Sequence, residues 1–196
     1  MTLARRLRHA LAAPPERTTI HAGPELEGIA GQAPAAVLIA FTDRPQPGLI
    51  LTQRPQWLRA HAGQVAFPGG KVDDGDISIE AAALREAEEE LGLLPAHVDV
   101  VGQGDDYVTH TGYRITPIIG VIPPDLAFDP NPDEVESWFE VPAATLLADQ
   151  AFASRRTHWQ GQWRDYYEMM WLEHRIWGVT AHIIVTLGTR LRGVLP

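Results

Sequence analysis

Glu86, Glu89 and Glu90 stand at positions i, i+3 and i+4, the spacing that makes residues neighbours on one side of an α-helix. Carboxylates held that close repel one another, and a like-charged i,i+4 pair costs a few tenths of a kcal/mol. A hard divalent cation would offset the repulsion. Carboxylate oxygens on a rigid helix suit Mg²⁺ or Mn²⁺, with the remaining coordination left to water and phosphate. The plainer reading is a solvated helix face. Arg85 is a salt-bridge partner that can orient one of the acids, and Glu88 falls on another arc and is assigned to solvent. Upstream, Phe67-Pro68-Gly69-Gly70-Lys71 sets two glycines where backbone groups can approach a phosphate or metal with no Cβ in the way.

The element that must carry the acids is a helix from Ile79 to Leu93, opened by Ser78 as N-cap and closed between Gly92 and Pro95. Its core stripe is Ala83, Leu84, Ala87, Leu91 and Leu94. Before it, Ala36 to Phe41 and Gly48 to Thr52 flank a turn-rich stretch and predict a hairpin, and Val65-Ala66-Phe67 stops at Pro68-Gly69-Gly70. After it, strands are expected at Val98 to Val101, Ile115 to Ile122 and Val135 to Val141, with a short helix after Pro142. Trp159 to Trp171 predicts a second hairpin through Gly161, and Val179 to Leu191 a closing helix capped by Thr180. At the start, Leu3, Leu7, Ala10 and Leu11 fall at helical spacing within Met1 to Ala13. This is a short amphipathic helix packed on the domain rather than a transit peptide. Residues 14–34, with Pro14, Pro15, Pro24 and Pro34, form an extended lead-in. The expected organisation is residues 1–34 as helix and lead-in and 35–196 as one layered α/β domain. The sequence has no internal repeat.

The chain has 196 residues, 45% of them apolar and 21% charged, enough to bury a core and unlike a disordered chain. It contains no cysteine, which excludes disulfides, a zinc ribbon and a thiol nucleophile and suits a reducing, cytoplasmic setting. No apolar run reaches the length of a membrane span. Residues 73–106 hold eleven acids against one charged base, Arg85, and so account for the net charge of −9. A basic face for nucleic acid is therefore not expected, and neither is a membrane partner. Of the sixteen Lys and Arg residues only Lys71 is lysine.

Gly70 followed by Arg85-Glu86-Ala87-Glu88-Glu89-Glu90-Leu91-Gly92-Leu93 resembles the Nudix box, whose tail reads Arg-Glu-apolar-any-Glu-Glu-any-Gly-apolar. Asp76 stands six residues after Gly70, where the box has Glu, and one extra residue separates it from the Arg. Upstream, Thr52, Arg54, Arg59, Gly63 and Phe67 to Gly70 resemble the extended signature of the coenzyme A pyrophosphatase branch of Nudix hydrolases. Ile50 and Pro55 depart from that signature. The two motifs together cover Ile50 to Leu93.

The resemblance implies a Nudix-like α/β/α sandwich with a mixed β-sheet. It also implies Mg²⁺- or Mn²⁺-dependent hydrolysis of the coenzyme A pyrophosphate to 3′,5′-adenosine bisphosphate and 4′-phosphopantetheine. The alternatives are another nucleoside diphosphate derivative such as NADH or ADP-ribose, or a non-hydrolysing Nudix-like module, against which the intact Arg85, Glu86, Glu89 and Glu90 speak. By resemblance Glu86 and Glu90 are metal ligands, Glu89 is a third ligand or proton acceptor, and Arg85 belongs with them. A loop acid can serve as base in this family. Glu134 is taken as that candidate ahead of Asp133 and Glu136, which read as an exposed turn after Asn131-Pro132. Arg54 and Arg59 are expected at substrate phosphates, with Gly69, Gly70 and Lys71 beside them; the bland reading of the two arginines is a surface ion pair. His61, His158, His174 and His182 are read as structural. Trp159, Trp163, Trp171 and Trp177 are read as core packing rather than as adenine or pantetheine contacts. The expected partner is a nucleotide-type small molecule, and nothing in the sequence specifies an oligomeric state.

Overall fold

The computed structural model describes residues 1–12, 19–21, 31–159 and 161–195. The run Ala35 to Phe41 is nearly all apolar because strand β2 (Ala33–Thr42) is buried on both faces. One side of β2 pairs in parallel with β8 (Tyr113–Ile122), from Ala33↔Tyr113 to Thr42↔Ile122. The other side is shared. Its start pairs with β5 (Gly69–Lys71), and its end meets β3 (Gly48–Gln53) only at Phe41↔Leu49. The predicted hairpin therefore holds only at its base. Strand β3 instead pairs with β9 (Ser137–Pro142) and β4 (Val65–Ala66).

Among the described residues the main sheet has nine strands. The others are β1 (Thr19–His21) and β7 (Asp106–Val108), which pair in parallel, and β6 (Asp99–Gln103), which pairs with β8. Strand β1 lies inside the expected lead-in, and β2 begins two residues before the expected boundary at Ala35; residues 14–18 and 22–30 of the lead-in lie outside the described set. Neither β1 nor β7 is foreseen, because three residues carry too little periodicity.

Two apolar layers flank β2. Ala36, Leu38 and Ala40 face helix α2 (Ile79–Leu91), whereas Ile39 and Phe41 face α1 (Leu3–Leu11) and α4 (Gly178–Arg190). This is the expected α/β/α layering. Leu3 and Leu7 of α1 are buried, and its arginines tie it down: Arg8 pairs with Asp99 and donates to the Val100 carbonyl, while Arg6 donates to that of Val194. Helix α3 (Ala143–Leu146) follows Pro142 as predicted.

A second, three-stranded sheet is formed by β10 (Ala153–Trp159), β11 (Gln162–Trp171) and β12 (His174–Trp177). The predicted hairpin is there, longer than expected, with β12 added. Its tryptophans correct the core reading. Trp163 is 62% exposed, Trp171 and Trp177 are half-buried, and the Trp159 side chain lies outside the described set. Two further corrections concern helix ends. Thr180 does not cap α4 but donates from Oγ1 to the Val65 carbonyl, 3.0 Å away, pinning the helix to β4. Leu94 is exposed while Leu93 is buried, because Gly92 adopts φ 66° and turns the chain away from the stripe one residue early. Among the described residues no helix is long and apolar enough to cross a membrane.

Candidate active site

Ser78 caps α2 by accepting the Ala81 N–H at its Oγ, and Gly92 ends it in the left-handed conformation. Those two ends fix the phase of the helix. Ala82, Ala83, Ala87 and Leu91 are buried against the sheet, Glu88 is exposed as expected, and the three other acids are sorted by depth. Glu90 is only 3% exposed, Glu86 is partly buried and Glu89 lies at the surface.

Gly69 and Gly70 make that burial possible. A Cβ on Gly70 would come within 2.5 Å of Glu86 Oε1, and one on Gly69 would strike the Ala36 carbonyl and Val37 Cα. Glycine is thus required at Gly69, where β5 packs on the β2 backbone, and at Gly70 it leaves the room that the Glu86 carboxylate takes. The Gly69 N–H donates to the Glu90 carboxylate. Lys71, the next residue, points to the opposite face, where its ammonium lies 5.7 Å from the centre of the Tyr113 ring. Its side chain is therefore not among the carboxylates, although its carbonyl serves them through Arg85.

Arg85 uses all five of its N–H donors. Nε and Nη2 bind the two oxygens of Asp76 at 3.0 and 3.1 Å, and Nη1 reaches Glu86 Oε1 at 3.0 Å and Glu89 Oε2 at 2.8 Å. Nη2 also meets the Lys71 carbonyl at 3.1 Å. The Asp76 side chain is almost fully buried and also accepts the Asp73 N–H at 2.8 Å. Its carboxyl is held below the usual range by Arg85 first and the Asp73 amide second, and Asp76 in turn raises the Arg85 guanidinium further. So Asp76, shorter than the Glu of the pattern, reaches Arg85 by the turn in which it sits. It joins the loop after β5 to the helix.

Glu134 arrives from a separate loop. Asn131 Oδ1 accepts the Asp133 N–H, while the Asn131 carbonyl accepts those of Glu134 and Val135, making a tight turn. The turn is fastened to the end of α2, with Asp129 N–H on Leu91 O and Asn131 N–H on Glu90 O, both 2.9 Å. Buried Val135 anchors it to the core, and Glu134 is thereby turned toward Glu86 and Glu90, while Asp133 and Glu136 stay exposed. Three carboxylates crowd one pocket. Burial, followed by the charges of Glu134 and Glu86, pushes Glu90 up to about 8. Burial, above all, also raises Glu86, against the pull of Arg85.

Arg54 faces this pocket, near enough to favour the charged form of Glu90. It is also the neck of a loop, its N–H donating to Gln64 O and its carbonyl accepting the Gly63 N–H. Arg59 lies on the exposed arm of the same loop. The structure thus separates two arginines that the sequence treats alike. His61 bonds Gln64 within that loop, His158 meets the Trp163 ring edge-on, and His182 packs between Tyr107 and Tyr167. His174 stacks on Phe139 at 3.8 Å and bonds the Gln53 side chain at 2.7 Å. That contact, which docks the small sheet beside Arg54, spans 121 residues of sequence and has no local signal.

The all-oxygen donors and uncompensated charge around Glu90 fit a hard divalent cation. Among the described residues no three Asp, Glu or His groups already converge as a finished metal cage. Glu86 and Glu89 are instead turned to Arg85.

The NUDIX domain family model matches residues 32–162. The chain is 48% identical over 166 residues to the "Uncharacterized Nudix hydrolase NudL" of Escherichia coli O7:K1, covering 83% of this chain and 84% of that protein. The Shigella flexneri protein of the same description matches to the same extent. Among solved structures, the Nudix hydrolase RenU of M. smegmatis superposes with a TM-score of 0.50 at 24% identity, over 60% of this chain and 74% of that one. A MutT/nudix family protein from Enterococcus faecalis gives 0.50 at 15% identity, over 85% and 64%. These two likenesses concern the fold alone. Nudix hydrolases generally use divalent metal ions, in keeping with the pocket at Glu90. On the domain match and the 48% identity, the chain belongs to the Nudix hydrolase family.

Proposed function

We propose that this Nudix hydrolase cleaves the pyrophosphate bond of coenzyme A or its derivatives, giving 3′,5′-adenosine bisphosphate and 4′-phosphopantetheine. One observation carries the reading. The upstream stretch that resembles the coenzyme A branch is physically joined to the carboxylate pocket, through Arg54 beside Glu90 and the Gly69 N–H on the Glu90 carboxylate. A cytoplasmic setting accords with a chain that lacks cysteine.

Glu86 and Glu90 would hold Mg²⁺ or Mn²⁺, with Glu89 as a third ligand or proton acceptor once released from Arg85. The bound ion supplies Lewis-acid polarisation of a phosphoryl oxygen and lowers the pKa of water. The chain's own residues do the rest. Arg85, fixed by Asp76, holds Glu86 and Glu89 on the rim, and Glu134 stands at the pocket as proton acceptor. Arg54 places positive charge against the pyrophosphate, and Arg59 on the exposed arm meets the more distant 3′-phosphate.

The test is phosphate-coupled turnover of coenzyme A, acetyl-coenzyme A, NADH and ADP-ribose with Mg²⁺ or Mn²⁺. Coenzyme A compounds should lead the panel. Coenzyme A should also be cleaved about tenfold or more faster than dephospho-coenzyme A, which lacks the charge-assisted 3′-phosphate contact. A lead for NADH or ADP-ribose would replace this reading.

A further inference from the structure

The stretch that matches the Nudix family ends at residue 162, yet the chain beyond it grips the end of β3 at two points. His174 Nδ1 lies 2.7 Å from the side-chain oxygen of Gln53, the last residue of β3, and the His174 ring is stacked on Phe139 with centroids 3.8 Å apart. With that oxygen toward the ring, Nδ1–H is the donor. Thr180 Oγ1 donates to the carbonyl of Val65, the residue of β4 that pairs with Gln53.

Gln53 connects to the carboxylate pocket by three routes. Its carbonyl accepts the Glu136 N–H at 2.8 Å, two residues past Glu134. Its backbone leads directly into Arg54, which faces Glu90. Its partner strand β4 leads through Phe67 and Pro68 to Gly69, whose N–H donates to the Glu90 carboxylate. Alternation along β3 sends the side chains of Leu51 and Gln53 to the α4 face of the sheet and that of Arg54, next in line, to the α2 face. A contact made on one face therefore bears on a charge held at the other.

Arg54 needs such support. The regular strand stops at Gln53, and past it the Arg54 backbone is held by the two bonds of its loop neck, to Gln64 and Gly63. Its Nε is buried with no hydrogen-bond partner among the described residues. The backbone at Gln53, rather than a side-chain bond at Nε, thus sets where the guanidinium stands.

We propose that His174 is a positioning residue for the hydrolysis: by holding Gln53 at the end of β3, it places Arg54 against the pocket at Glu90. The inference rests on the role given above to Arg54 at the substrate pyrophosphate. It gives a function to a histidine that lies outside the matched stretch and that the sequence marks only as structural.

The experiment measures kcat and KM, on whichever compound of the substrate panel is cleaved fastest, for the parent, His174→Phe, His174→Asn, Arg54→Ala and the double variant His174→Phe/Arg54→Ala. His174→Phe keeps a ring to stack on Phe139 and removes the donor, whereas His174→Asn restores an N–H close to the place of Nδ1. KM should rise about tenfold in Arg54→Ala and by a similar factor in His174→Phe, return to within about threefold of the parent in His174→Asn, and rise no further in the double variant than in Arg54→Ala. A merely structural loss leaves fewer folded molecules, so it lowers kcat and leaves KM where it was. A raised KM in Arg54→Ala with an unmoved KM in His174→Phe, no recovery in His174→Asn, or effects that multiply in the double variant would overturn the positioning role while sparing that of Arg54. An unmoved KM in Arg54→Ala would overturn the role given to Arg54, and this inference with it.

Discussion

Arg85 and Glu90 stand five positions apart on one helix, and the two ends of that interval are electrostatic opposites. Around Arg85 every donor is used, and Asp76 is held ionised by hydrogen bonds and charge. Around Glu90 the acids outnumber the cations, and burial with neighbouring charge drives its carboxyl toward the neutral form. The first region is complete without a ligand and fixes geometry. The second crowds buried acids together, a repulsion that a bound cation would relieve. A chain can thus orient its carboxylates with one residue and leave others unsatisfied for binding.

The sharpest way to break this contrast is at Glu90. Glu90→Gln should lower kcat by about 10² or more, because it removes an anionic donor from the metal pocket. With metal chelated, the same variant should melt at or above the parent temperature, since an amide in that place carries no buried charge. Steady-state kinetics and thermal denaturation in chelator check both halves.

Arg85→Lys should act the other way. A lysine cannot span Asp76, Glu86, Glu89 and the Lys71 carbonyl together, so stability should fall by roughly 2 to 3 kcal/mol as partly buried carboxylates lose their partner. Activity should fall by about tenfold through misplaced acids. Chemical denaturation and kcat measured side by side separate this pattern from that of Glu90→Gln. Unchanged stability would mean that Arg85 is not the organising node.

A smaller effect lies outside the site. His182 is packed between the Tyr107 and Tyr167 rings, and burial lowers its pKa below the ordinary value near 6.5. A base whose folded pKa is depressed stabilises the fold above its unfolded pKa. That contribution is lost as pH falls below about 6.5 and through the folded value. Melting temperatures taken from about pH 7 to about pH 5 should therefore fall, and less steeply in His182→Phe. The smallest effect belongs to Glu88→Gln. Its exposed side chain faces away from the pocket, and both rate and stability should stay within about twofold and about 0.5 kcal/mol of the parent.

Much of this was legible in the sequence because it is local. The helix carrying Glu86 and Glu90, its Ser78 cap and its Gly92 stop follow from neighbouring residues, as do the glycines beneath it and the Asn131 turn that presents Glu134. What was not legible is long-range. The pairing of β2 with β8 rather than with β3, the His174–Gln53 contact and the divergence of Arg54 from Arg59 depend on which distant segments meet. The tryptophans of the small sheet misled for a related reason: bulk and aromaticity predict burial, but a three-stranded sheet at the edge of a domain cannot cover its outer residues.

The most direct test of the contrast is a Mn²⁺ binding isotherm, followed by electron paramagnetic resonance, for the parent, Glu90→Gln and Glu88→Gln. The account predicts that Glu88→Gln binds like the parent while Glu90→Gln loses at least tenfold in affinity. Equal affinity in all three proteins would contradict it, because the pocket at Glu90 would then not be where the cation sits.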